Sequence, residues 1–283
     1  MNIEQAYEEC DRITRAEAKN FSYGIRLLPT PKRNAMSALY AYARRIDDIA
    51  DGDSSADHKL TALAAVDEQV AGLAEGRLPD QHDPVLVGVH DATERFGVPV
   101  ATFGEIVEGC RRDSLGTEYA STADTEEYCR LVAGSVGRLS LGVFGSSDPV
   151  APRLADDLGV ALQLTNILRD IVEDRDEMGR IYLAKDDIDR FGCHHDLSGP
   201  EDAMTALIEA YIDTAQQFYA IGLDLLPLLD RRSRSCVSAM AGIYRRLLVR
   251  ISEDPLVVMR GRLSLSTREK LIVAGRSLAG LSP

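Results

Sequence analysis

Two segments of the chain place carboxylates at helical spacing beside other polar side chains. The first contains Tyr40, Arg44, Asp47 and Asp51, and the second contains Gln163, Asn166, Asp170 and Asp174. Acidic pairs alone are weak evidence, because 45 acidic residues in a chain of 283 would give about seven pairs at i,i+4 by chance, mostly on solvated faces. In both segments, however, the polar positions lie on one helix face and continue the stripe where core residues are expected.

Buried carboxylates without compensation are costly, so two inward-facing acidic stripes require cations or protonation. Magnesium prefers oxygen ligands, and proteins usually hold it through one or two carboxylates together with substrate phosphates. The two stripes therefore predict a magnesium site that binds a diphosphate. The alternative is an ion-paired surface with Arg44, Arg45 and Arg169 as partners.

The chemistry that such a site supports is ionisation of an allylic diphosphate. Magnesium and arginine side chains stabilise the leaving diphosphate as its charge develops. The remaining carbocation must be kept from water, so an apolar cavity between helices is expected. The small residues of Val132-Ala133-Gly134-Ser135-Val136-Gly137 would let a hydrocarbon chain approach, and they fit ordinary packing between helices equally well.

The elements that position these residues are predicted to be helices. Thr30-Pro31 resembles an N-cap followed by proline at the first helical position, and Gly52 ends that helix. No repeat or linker is evident, which predicts one domain spanning residues 1–283. Further helices are expected at approximately 60–75, 85–96, 100–117, 125–143, 152–173, 200–230, 232–252 and 266–278.

Composition excludes several classes of function. The net charge of −13 argues against nucleic acid as a partner and against dominant attraction to anionic lipid. The five cysteines are scattered, which favours reduced thiols in a cytoplasmic protein. His194-His195 lacks a third ligand at zinc spacing and is interpreted as a surface pair. No membrane-spanning segment or secretory signal is predicted.

Three motifs resemble those of squalene and phytoene synthases. They are Tyr40–Asp51 (YAYARRIDDIAD), Tyr128–Gly137 (YCRLVAGSVG) and Gln163–Asp174 (QLTNILRDIVED), in the family's order. The resemblance implies an all-α isoprenoid synthase fold, a helical bundle around a central cavity. It also implies a prenyltransferase that joins two identical prenyl diphosphates head to head through a cyclopropylcarbinyl diphosphate.

The resemblance also implies roles for individual residues. Magnesium, two or three ions, would be held by Asp47, Asp51, Asn166, Asp170 and Asp174. Contacts to diphosphate or its pocket would come from Lys19, Asn20, Tyr40, Arg44, Gln163, Arg169 and Tyr244. Tyr128 would take part in the proton transfer that closes the cyclopropane, and would need help from a cation or diphosphate. Considered alone, Tyr128 is more often a packed helix residue. Arg180, in the segment after the second acidic motif, would close over diphosphate.

The residue pattern around Glu17–Pro29 and Ile243–Leu248 is similar to bacterial presqualene diphosphate synthases of hopanoid pathways. The expected reaction is therefore condensation of two farnesyl diphosphates to presqualene diphosphate, without NADPH. Phytoene synthesis from two geranylgeranyl diphosphates, complete squalene synthesis with NADPH and a non-catalytic helical scaffold are the alternatives. The lipophilic product adds two expectations: transient membrane association and downstream squalene-forming enzymes as partners.

Overall fold

A computed structural model describes residues 1–18 and 20–281 of the chain. This part of the chain is helical and contains no β-strand, which confirms the all-α prediction. The α-helices are α1 Ile3–Glu17, α2 Phe21–Ile25, α3 Thr30–Asp51, α4 Ala56–Ala74, α5 Pro84–Phe96, α6 Phe103–Ser114, α7 Thr122–Cys129, α8 Ser135–Phe144, α9 Ala151–Met178, α10 Lys185–Phe191, α11 Glu201–Gly222, α12 Arg231–Glu253 and α13 Thr267–Leu278. Short 3₁₀ helices occupy Val100–Thr102, Leu223–Leu228 and Pro255–Arg260, and a π-helical turn occupies Arg130–Gly134.

Three of these helices are absent from the sequence-based prediction. Helix α1 buries Ala6, Tyr7, Cys10 and Thr14, which share one helix face that the sequence-based prediction did not identify. Helices α2 and α10 have only 5 and 7 residues, which is too short for a periodic pattern to be recognised.

The start of α3 corrects the N-cap prediction by one residue. Pro29 has an extended backbone, with φ −61° and ψ 152°, and is the N-cap, so Thr30 is already helical. The Pro29 carbonyl accepts the first helical hydrogen bond from the Arg33 N–H at 2.9 Å. Gly52 follows the last helical residue, Asp51, as predicted.

Two predicted helices are interrupted and one is longer. The segment predicted as 125–143 consists of α7, the π-helical turn and α8, a local widening that is common beside functional sites. Helix α11 ends at Gly222 and continues as a 3₁₀ helix that contains Pro227, whose missing N–H disfavours α-helix. Helix α9 runs on to Met178, and Gly179, with φ +64°, ends it in the left-handed conformation.

The two acidic stripes lie on α3 and α9. Helix α3 packs against α1, α5, α6 and α8, and α9 packs against α8, α11, α12 and the π-helical turn. Gly137 allows the close approach of α8 to α9, and Gly159 allows that of α9 to the π-helical turn. A Cβ atom at Gly137 would lie 2.2 Å from the Ala155 carbonyl oxygen, and one at Gly159 would lie 2.3 Å from that of Ala133. Since both glycines also line a cavity, the structure supports both interpretations of this small-residue stretch.

Candidate active site

A polar pocket lies where α3, α6, the π-helical turn and α9 meet. It continues directly into an apolar cavity, because Arg44, Asp47, Val132, Gln163 and Asn166 line both spaces. The residues that line the polar pocket are Arg44, Asp47, Ala50, Asp51, Cys110, Asp113, Tyr128, Val132, Gln163, Asn166, Ile167, Arg169, Asp170, Asp174, Met178, Arg180 and Tyr182.

Most of the residues selected from the sequence meet in this pocket. The five predicted metal ligands, Asp47, Asp51, Asn166, Asp170 and Asp174, all line it, as do Arg44, Tyr128, Gln163 and Arg169. Tyr40 lines the apolar cavity instead. Asn20 and Tyr244 line neither space, and Lys19 lies outside the described residues.

Tyr244 lies behind the pocket and supports one of its arginines. Its side chain is buried, the Arg169 guanidinium lies over its ring at 5.9 Å, and Phe21 stacks on it with ring centroids 5.5 Å apart. The buried Arg169 also pairs with Asp170, the next residue of α9. Tyr244 is therefore placed to orient Arg169.

Burial disfavours the ionised form of two of the predicted metal ligands. Burial, together with repulsion from the neighbouring Asp51, raises the pKa of Asp47 to about 7. Burial, with repulsion from Asp170 and Glu173, likewise raises the pKa of Asp174 to about 7. A cation would offset this effect, because it favours the ionised form of each carboxylate.

Two arginines beyond the two stripes contact the acidic helices. The left-handed turn at Gly179 directs Arg180 back across the pocket, where its guanidinium donates to Asp51 Oδ1 at 2.8 Å and to the Ala50 carbonyl at 2.9 Å. Arg262 contacts Asp170 at 3.0 Å and Glu173 at 2.9 Å. The sequence pattern did not identify Arg262, because it lies 89 residues from Glu173 and outside any acidic motif.

The donor set of the pocket fits a divalent cation. Five aspartates face three arginines among the lining residues, which leaves an excess of negative charge. The buried Asn166 Oδ1 has no hydrogen-bond partner, and an amide oxygen is a suitable ligand for magnesium. Among residues 1–18 and 20–281, no three His, Cys, Asp or Glu side chains are grouped closely enough to hold an ion by themselves. Such a site would need substrate phosphates or water as further ligands.

A second feature that sequence patterns missed is a tyrosine–carboxylate cluster at the wall of the pocket. Tyr128 donates a hydrogen bond to Asp113 Oδ2 at 2.8 Å, and Tyr182 donates to Asp113 Oδ1 at 3.1 Å. The Tyr128 and Tyr182 rings stack with centroids 4.8 Å apart. Burial raises the pKa of both phenols well above the ordinary value, and nearby Asp113 raises each further. No motif marks Asp113, which reaches the cluster from α6.

The apolar cavity has a volume of about 240 Å³ and extends from the polar pocket between α2, α3, α8, α9 and α12. Its walls are almost entirely hydrocarbon. They include Phe21, Ile25, Met36, Leu39, Val132, Val136, Leu139, Phe144, Leu158, Leu162, Val237 and Met240. A charged head group could therefore lie among the aspartates and arginines while its hydrocarbon chain is removed from water.

Of the remaining candidates from the sequence, the histidine pair lies on the surface, whereas Cys110 lines the polar pocket. His194 contacts Ser198 at 3.0 Å and His195 contacts Asp189 at 3.2 Å, both on the surface. All five cysteines are free and buried. Within the described ranges, no helix is both long and apolar enough to cross a bilayer.

An all-α fold with an acidic, arginine-bearing pocket that opens into a hydrocarbon-lined cavity defines the class of prenyl diphosphate-using helical enzymes. The family model for squalene/phytoene synthase matches residues 14–269. The chain therefore belongs to the squalene/phytoene synthase family, and it is a prenyltransferase. The predicted family and the isoprenoid synthase fold are confirmed.

Relatives and solved structures agree on this assignment. The chain is 45% identical to phytoene synthase of Mycobacterium tuberculosis, over 98% of this chain and 92% of that protein. It is 33% identical to 15-cis-phytoene synthase of Synechococcus elongatus, over 95% and 91% of the two chains. Its fold is similar to a ligand-bound dehydrosqualene synthase, with a TM-score of 0.88, 29% identity and coverage of 98% and 97%. Squalene synthase HpnC from Alicyclobacillus acidocaldarius gives a TM-score of 0.81 at 28% identity, over 89% and 94%.

Proposed function

We propose that this enzyme condenses two geranylgeranyl diphosphates head to head to phytoene. The single observation that carries this choice is the 45% identity, over nearly the full length of both chains, to proteins named phytoene synthase. The relatives from cyanobacteria carry the same name at 32–33% identity. Phytoene synthesis was an alternative in the sequence-based prediction, and it is now the preferred reaction.

Condensation of two farnesyl diphosphates to presqualene diphosphate, the product first expected from the sequence, is the second candidate. It is favoured by the similarity of the fold to a dehydrosqualene synthase and to squalene synthase HpnC, at 29% and 28% identity. Both candidates share the head-to-head chemistry. They differ in the length of hydrocarbon chain that the apolar cavity accepts and in the step at which the reaction stops.

The polar pocket would ionise the first substrate. Magnesium, held by Asp47 and Asp51 on one helix and by Asn166, Asp170 and Asp174 on the other, would supply Lewis-acid stabilisation of the leaving diphosphate. Arg44, Arg169 and Arg180 line the same space and would donate hydrogen bonds to the phosphate oxygens as negative charge develops. The carbocation would remain among the aliphatic side chains of the cavity, where water is excluded.

The tyrosine–carboxylate cluster would accept the proton that is lost when the cyclopropane closes. The pKa of the buried Tyr128 is raised, so a free phenolate is disfavoured. A proton relay avoids a free phenolate. The Tyr128 oxygen takes the proton from the substrate carbon while its own O–H proton passes to Asp113 Oδ2, which lies 2.8 Å away. Tyr128 then ends neutral and Asp113 ends protonated, a form that burial already favours, since it raises the pKa of this carboxyl.

Product analysis tests the proposal. The purified enzyme is incubated with magnesium and either geranylgeranyl or farnesyl diphosphate, with and without NADPH, and the extracts are analysed by chromatography and mass spectrometry. We expect phytoene from geranylgeranyl diphosphate, in equal amount with and without NADPH. Accumulation of presqualene diphosphate from farnesyl diphosphate, with the longer substrate inert, would replace phytoene by the second candidate. Absence of any diphosphate release would refute both.

A further inference from the structure

The net charge of the chain conceals a strongly basic C-terminal unit. Residues 231–283 contain 11 Lys or Arg and 3 Asp or Glu, a net charge of +8 in a chain whose total is −13. The preceding 230 residues therefore carry −21. The basic unit consists mainly of α12 and α13, which pack against each other.

The outward side of this unit combines cations with exposed aliphatic side chains. We use the term basic helix face for Arg246, Val249, Arg268, Leu271, Ile272 and Arg276. On α13, residues 268, 271, 272 and 276 share one side of the helix, and all four are exposed. Leu271 is 57% exposed, Ile272 45% and Val249, on the adjoining helix, 53%.

The acidic residue of α13, Glu269, does not neutralise the arginines of the basic helix face. Glu269 caps the helix by accepting from the Ser266 N–H at 3.0 Å, and it also accepts from the Arg250 guanidinium at 2.5 Å. Arg250 of α12 and Glu269 of α13 thus form an ion pair beside the basic helix face. What remains outward is an aliphatic centre flanked by arginines.

The position of the face relates it to the active site. Helix α2, whose Phe21 and Ile25 line the apolar cavity, packs against both α12 and α13. The segment that leads into α13 carries Arg262, which contacts Asp170 at the polar pocket. A surface bound at the basic helix face would therefore lie beside the helices that enclose the substrate's hydrocarbon chain.

We propose that the basic helix face docks the enzyme onto a bilayer that contains anionic lipid. Aliphatic side chains that enter the headgroup region, together with arginines that attract anionic headgroups, are the features of helices that lie in a membrane interface. A symmetric contact with a second copy would bring two positive faces together, which is unfavourable. Single-stranded nucleic acid binding normally adds aromatic side chains for base stacking, and the six residues of this face include none.

The proposal is independent of the substrate chain length, and its test requires no substrate. Full-length enzyme is mixed with vesicles of phosphatidylcholine alone or with about a third phosphatidylglycerol, and the bound fraction is measured by flotation. We expect binding to the anionic vesicles that weakens with salt. The R268E/R276E variant should bind at least about 20-fold more weakly, because each cation near the surface contributes about fivefold. The L271Q/I272Q variant should lose about tenfold or more, because the inserted aliphatic area is removed.

Matched controls change exposed residues elsewhere on the protein. R12E/R77E reverses two arginines whose side chains are 67% and 66% exposed, and L115Q replaces a leucine that is 60% exposed directly after α6. Both controls should bind vesicles like the wild type. All variants should retain the wild-type helical circular dichroism and unfolding temperature.

Three results would overturn the proposal. One is wild-type binding to anionic vesicles no stronger than to neutral vesicles. Another is loss of binding in the controls as large as in the two basic-face variants. The third is a change in molecular mass by analytical ultracentrifugation in L271Q/I272Q without any change in vesicle binding, which would assign the face to contact with a second copy. Failure of the product assay would leave all three readouts unaffected.

Discussion

Replacing Asp174 by asparagine should stabilise the metal-free protein while removing its activity. The carboxyl has its pKa raised from 3.8 to about 7 by burial and by repulsion from Asp170 and Glu173. The folded protein therefore binds this proton more tightly than the unfolded chain, so the free energy of unfolding falls as pH rises from about 4 to about 7 and stays low above it. Asparagine keeps the shape of the side chain and carries no charge at any of these pH values.

The magnitude follows from the size of the shift. Three pKa units correspond to an upper limit of about 4 kcal/mol. Asp174 is only partly buried and titrates together with its neighbours, which reduces the expected gain to about 1–2 kcal/mol. For a chain of this size, that gain raises the unfolding temperature by about 2–6 °C. The gain should be present at about pH 8 and nearly absent at about pH 5, where the wild-type carboxyl is already largely protonated.

The assay is thermal unfolding of EDTA-treated protein at both pH values, followed by turnover measured as diphosphate release with magnesium. The matched control is Asp176→Asn, two residues further along α9, where the carboxyl is exposed and Arg175 lowers its pKa. D176N should gain no stability and keep its activity. An unfolding temperature of D174N that equals the wild type at both pH values would refute the electrostatic argument. Turnover of D174N within about threefold of the wild type would instead refute the assignment of Asp174 as a metal ligand, because loss of such a ligand removes charge stabilisation of the leaving diphosphate.

Three further predictions concern other parts of the site. Asp113→Asn should lower kcat by about 10²-fold with little change in KM, because it removes the proton acceptor of Tyr128. A kcat of Asp113→Asn close to that of the wild type, while Tyr128→Phe is strongly impaired, would argue against the relay. Gly159→Ala should lower the free energy of unfolding in denaturant by about 1–3 kcal/mol, because its Cβ would lie 2.3 Å from the Ala133 carbonyl oxygen. The control is Gly104→Ala on α6, where the Cβ meets nothing within 4 Å; it should be neutral or slightly stabilising. Magnesium with inorganic diphosphate at about 100 times its dissociation constant should stabilise the wild type by about 2.7 kcal/mol and D47N much less; equal thermal shifts in the two proteins would exclude Asp47 from the binding site.

The sequence determined the acidic stripes and the family because both depend on local order. The helical period places Asp47 and Asp51, or Asp170 and Asp174, on one face wherever a helix forms, and the three motifs lie within continuous segments. Helix ends were less accurate. The residue type of Thr30 suggested that it is the N-cap of α3, but it is the first helical residue. The backbone angles of Pro29, which make Pro29 the N-cap, could not be read from the sequence.

Tertiary structure decided which distant residues complete the site. Asp113 on α6 meets Tyr128 and Tyr182, and Arg262 reaches Asp170 across the fold; no sequence period relates these positions. Packing also places Tyr244 against Arg169, a contact that the sequence pattern did not predict. The helical period places basic and aliphatic residues on one side of α13, and the packing of α12 against α13 leaves that side exposed. A sequence fixes the identity of each charge, whereas its partner and its access to water depend on contacts between remote segments.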